Sequence, residues 1–76
     1  MMFDMKLYLT EQGFVESQMN NNLFERADGY YIRFLKANGR NKMVVKNRKE
    51  KYNHICSCII PESMSEADML FYLLEL

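Results

Sequence analysis

The sequence predicts an α+β domain: an N-terminal helix, an antiparallel meander sheet of three or four strands, and a C-terminal helix, with both helices on one face of the sheet. Three observations predict it. Runs rich in β-prone residues lie between Leu23 and Ile60, and Asp28-Gly29 and Asn38-Gly39 separate them. Such pairs are strong hairpin signals and make consecutive strands antiparallel neighbours. Ser63-Met-Ser-Glu66 opens a C-terminal run with helical periodicity. Seventy-six residues leave room for one domain, 1–76, with a thin core.

The segment 2–12 admits two readings. With period two, Phe3, Met5, Leu7 and Leu9 alternate with Asp4, Lys6, Tyr8 and Thr10. With period 3.6, Met2, Met5 and Leu9 form a stripe beside Tyr8. Helix is preferred, because Met, Leu, Lys, Glu and Gln are good helix formers and β-branched residues are scarce. Gly13 then stands where a left-handed C-terminal cap belongs, with Phe14 placed to pack back. Residues 13–17 read as a further edge strand, and Asn20-Asn-Asn22 as a loop.

The first hairpin joins Asn22–Ala27 to Tyr30–Lys36 through Asp28-Gly29, read as a type I′ turn with positive φ at both residues. In the second run Tyr30, Ile32 and Phe34 share one face, and Tyr31, Arg33 and Leu35 share the other. Asn38-Gly39 leads into Lys42–Arg48, where Val44 and Val45 favour extended backbone. Tyr52–Ile60 is the last strand, stopped by Pro61.

In the C-terminal helix Ser63 is expected to cap the Glu66 amide while the Glu66 side chain reaches back to the cap amide. The helix is read as running to Leu76. Ala67, Leu70, Phe71 and Leu74 form one apolar stripe; Met69, Tyr72, Leu73 and Leu76 form a second. One sheet can cover only one of them. The second stripe is expected to meet the N-terminal helix or to form a partner or dimer surface. Seven methionines fit core filling or an adaptable contact, with Met1, Met2, Met5 and Met69 near the helices.

Formal net charge is zero, so charge alone does not point to nucleic acid. Its distribution is more informative. Between Lys36 and Lys51 stand seven bases, Lys36, Arg40, Lys42, Lys46, Arg48, Lys49 and Lys51, against the single acid Glu50. That basic hairpin carries +6 and leaves the rest of the chain at −6. It suits an acidic protein surface or phosphates. Tyr30, Tyr31, Phe34 and Tyr52 stand where they could stack on bases. Equally, lysines keep an edge hairpin soluble, and aromatics in a small sheet belong to its core.

No chemistry announces itself. His54, Cys56 and Cys58 alternate along one strand, and three ligands so spaced span about 13 Å, too far for one tetrahedral zinc. Cys56 and Cys58 lie at the far edge of disulfide reach and are expected to be free. No glycine-rich phosphate loop, nucleophile elbow or paired carboxylates occur, so no catalytic residue, metal ligand or cofactor is assigned. Asp4 and Lys6 interrupt the N-terminal apolar run. The longest such run, Met69–Leu74, is far short of the ~20 residues of a membrane span. A soluble, cytoplasmic protein without membrane contact is expected. The functional expectation is a non-catalytic interaction module, an inhibitor or adaptor of the kind frequent in phage and mobile elements, docking on a larger protein. RNA or single-stranded DNA binding through the hairpin 36–51 is the alternative.

Overall fold

The computed structural model describes residues 2–49 and 54–76, with the main chain alone at His54 and Ile55. Lys51 and Tyr52, the side chain of His54, and Met1 therefore lie outside the described residues. The order is α1 (Met5–Glu11), β1 (Val15–Glu16), β2 (Leu23–Glu25), β3 (Tyr30–Ala37), β4 (Arg40–Asn47), β5 (His54–Ile59) and α2 (Met64–Leu73). The strands form one antiparallel sheet in the order β1-β2-β3-β4-β5. The expected α-β-α order and meander hold. The sheet reaches five strands because the 13–17 segment contributes the two-residue edge β1.

The segment 2–12 is helical over Met5–Glu11, and its ends explain why. Asp4 caps it, accepting from the amides of Lys6 and Leu7. Gly13 has φ +91°, and Phe14 N–H reaches the Leu9 carbonyl at 3.0 Å. That six-to-one bond closes a Schellman turn and sends Phe14 into the core.

At α2, Ser63 accepts from Glu66 N–H as expected, but the Glu66 carboxylate takes the amide of Glu62 rather than that of the cap. The helix ends earlier than the stripes suggest. Glu75 takes the left-handed conformation, φ +57°, and Leu76 N–H bonds back to the Phe71 carbonyl. This is the same Schellman turn as in α1, built on a glutamate. It folds Leu76 onto the core, so Leu76 leaves the exposed stripe.

The two hairpin turns differ. Asn38 and Gly39 both have positive φ, as a type I′ turn requires. At the first turn only Gly29 does; Gly29 N–H bonds to the Arg26 carbonyl, and Arg26 N–H to the Tyr30 carbonyl. That is a type I turn followed by a left-handed glycine, not type I′. Asp28 is not among the residues of positive φ, since a type I turn followed by a left-handed residue needs positive φ only at Gly29; its carboxylate accepts from the Arg26 guanidinium.

One sheet face carries Phe24, Ile32, Phe34, Met43 and Val45, all buried against Met5, Tyr8 and Leu9 of α1 and Ala67 and Phe71 of α2. Tyr8 and Phe14 both meet the Phe71 ring edge-on. Of the methionines, Met5 and Met43 fill the core, whereas Met2, Met19, Met64 and Met69 are exposed. No helix among the described residues is long and apolar enough to cross a membrane.

Candidate interaction surfaces

Both helices lie on the same side, so the opposite sheet face has no cover among the described residues. Alternation from the buried residues, together with the registers, lays its side chains out in three rows. Glu25 stands opposite Tyr31, and Tyr31 opposite Lys46. Leu23, Arg33, Val44 and Ser57 follow across four strands. Leu35, Lys42 and Ile59 make the third row. Leu23, Leu35 and Val44 are half-buried, and Ile59 is 54% exposed. Arg33, Lys42 and Lys46 rise among them as three cations on an aliphatic floor.

The electrostatics separate these cations from their neighbours. Arg48 pairs with Glu25 at 2.9 Å and lies over the Tyr31 ring, 4.5 Å from its centroid. Among the described residues, Arg33, Lys42 and Lys46 take part in no ion pair. Lys42 and Lys46 lie about 13 Å apart along β4 with Val44 between them. A surface of this kind attracts an acidic partner and offers apolar contact once the partner has arrived.

The six described bases of the hairpin do not form one patch. Lys42 and Lys46 share the open face, with Arg48 at its rim. Lys36 points to the helix side and lines a cleft of about 640 Å3 with Phe3, Phe34 and Ile60. Arg40 sits at the β3–β4 turn, and Lys49 lies exposed beyond β4 beside Gly29. Arg33 was absent from the basic set expected from sequence, because it precedes the charge run. Its place on the same strand face as Tyr31 and Leu35 was the signal for it.

The aromatic residues are also divided. Phe34 is buried, and Tyr30 is half-buried under the Arg26 guanidinium. Tyr31 alone of the described aromatics stands on the open face, and Arg48 covers it.

A second surface lies on α2. Ala67 and Phe71 are buried, whereas Met69, Tyr72 and Leu73 are 58%, 80% and 67% exposed. The second stripe therefore does not pack on α1, which meets α2 through Tyr8, Asp68 and Phe71 instead.

Burial, then the neighbouring Cys56, pushes the Cys58 thiol up to about 11, so it is protonated and a poor nucleophile at neutral pH. Both cysteines are free thiols. Among the described residues no group of three His, Cys, Asp or Glu side chains could hold a metal ion. A bulge between Val45 and Lys46 sets Cys56 opposite Val45 and the His54 backbone opposite Lys46; the facing expected for the His54 side chain lies outside the described residues.

Fold and surfaces together define a small α+β domain: a five-stranded meander with helices on one face and a basic, aliphatic open face on the other. Comparison with known proteins finds no matching family model, no matching curated protein and no matching solved structure.

Proposed function

We propose that this protein is a non-catalytic interaction module, an inhibitor or adaptor, that docks on an acidic surface of a larger protein through the open face of its sheet. One observation carries the reading: among the described residues, Arg33, Lys42 and Lys46 stand without ion-pair partners beside Leu35, Val44 and Ile59. Desolvating such a face against apolar surface alone would strand three charges, whereas carboxylates on the partner would satisfy them.

Binding of single-stranded nucleic acid is the competing reading, and the same cations favour it. Base stacking needs open rings beside the cations, however, and among the described residues the open face offers only Tyr31, already under Arg48, while the exposed Tyr72 lies on α2. The protein partner is therefore preferred.

The test is a pull-down from the source organism comparing the native chain with Arg33→Glu and Lys46→Glu. The expected result is one stoichiometric acidic protein, lost with either reversal. Recovery of nucleic acid with steeply salt-dependent affinity would favour the competing reading. Capture indifferent to both reversals would reject the open face as the docking surface.

A further inference from the structure

We infer that the chain forms a two-fold homodimer by antiparallel pairing of β5 with β5 of a second copy, the two α2 helices meeting above the join. The inference is independent of the acidic partner, since it concerns a sheet edge and a helix flank.

The first observation is the edge itself. β5 ends the sheet, and no strand among the described residues pairs with its outer side. The Ile60 amide bonds to the Asn41 carbonyl. By alternation Cys58 and Cys56 bond inward to β4, and the N–H and C=O of Ser57 and Ile59 point outward. Natural edges are protected by charge, proline, brevity or covering. The opposite edge, β1, is two residues long and carries Glu16. β5 runs six residues, His-Ile-Cys-Ser-Cys-Ile, with no lysine, arginine, acid, proline or glycine.

The second observation is the helix flank. α1 runs into β1 through residues 12–14 at one edge of the sheet and α2 follows β5 through residues 60–63 at the other, so α2 sets out from the β5 side before its C-terminal end reaches Arg26. Asp68 faces α1 through Tyr8. Leu73 lies about 140° around the helix from Asp68, turned away from α1. Leu73, Met69 and Leu70 line a groove on that flank. A two-fold that pairs the β5 edges brings these exposed flanks together, as an isologous interface requires.

The pairing has a natural centre. With the axis at Ser57, each Ser57 N–H donates to the Ser57 carbonyl of the other copy. The sheet continues as ten antiparallel strands, and the two open basic faces lie side by side.

The test uses the whole chain in size-exclusion chromatography with light scattering over a wide concentration range. Ser57 is exposed and its side chain is on the open face, so Ser57→Lys and Ser57→Asp should each fold. Like charges directly opposite one another oppose pairing. The native chain should run as a dimer, each variant alone as a monomer with native circular dichroism, and their equimolar mixture as a dimer again. Leu73→Lys, which leaves the sheet untouched, should weaken the dimer. A native chain that stays monomeric, a dimer that survives Ser57→Lys, or a mixture that fails to recover it would overturn the proposal.

Discussion

The Tyr8 hydroxyl donates to Asp68 Oδ1 at 2.7 Å, tying α1 to α2 across the top of the core. Burial, then the hydrogen bond and the negative charge of Asp68, pushes the Tyr8 phenol up to about 12 from an ordinary 10.0. The folded chain therefore holds this proton more tightly than the unfolded chain. Stability from Tyr8 is complete below pH 10 and is lost as pH rises toward about 12. Alkaline titration followed by phenolate absorbance should show one tyrosine ionising late. Tyr8→Phe should remove that late step and cost about 1 kcal/mol in urea denaturation.

Arg26 gathers the ends of both helices. Its guanidinium donates to the carbonyl oxygens of Gln12 and Leu76, forks onto Asp28, and covers the Phe14 ring at 4.7 Å. The arginine holds the Asp28 carboxyl below its ordinary value. A planar fork can make these contacts together; an ammonium cannot. Arg26→Ala should cost about 2 kcal/mol, and Arg26→Lys should recover little of it, measured by denaturant midpoint.

Gly29 is required twice over. It has φ +100°, and an added Cβ would stand 2.8 Å from Asn47 Oδ1, which accepts from the Lys49 amide. Gly39, φ +75°, has open space around it. Gly29→Ala should cost about 2–3 kcal/mol and Gly39→Ala about 1 kcal/mol. Equal losses at the two sites would contradict the packing argument.

Glu75 occupies a position that favours glycine, with φ +57° at the end of α2. Glu75→Gly should keep the Schellman turn while relieving the left-handed strain, raising stability by about 0.5–1 kcal/mol. Thermal unfolding of the two chains side by side checks the sign.

Arg33, Lys42 and Lys46 contribute no ion pair to the fold among the described residues. Reversing any one of them should move stability by less than about 0.5 kcal/mol. A loss of binding in such a variant would then reflect the surface and not unfolding. A large drop in its melting temperature would show that the residue supports the sheet instead.

Much of this architecture was legible because its signals are local. Ser63 as a cap, Gly13 with Phe14 behind it, and the Asn38-Gly39 turn each depend on residues within one turn of chain; the Asp4 cap is as local but went unread. The Asp28-Gly29 turn was visible, but its type was not, because the strand register closes the ladder at Arg26 and Tyr30 and so lengthens the connection beyond two residues. The basic hairpin was visible as a charge run, whereas its division between Lys36 on the helix side and Lys42 and Lys46 on the open face required a register.

By itself the sequence determined the antiparallel meander and the start of the C-terminal helix, since each follows from hydrogen-bonding and φ preferences a few residues long, whereas 2–12 stayed open between helix and strand until the Asp4 cap was seen. It could not determine which sheet face the helices cover, because Ile32 and Phe34 on one side and Tyr31, Leu35 and Val44 on the other are all apolar. Tertiary packing chose. Phe14 and Phe71 close over Ile32, Met43 and Val45, leaving Arg33, Lys42 and Lys46 outside. The physical reason is that a thin core can satisfy only one face of a sheet, and the face bearing the cations loses least by staying in water.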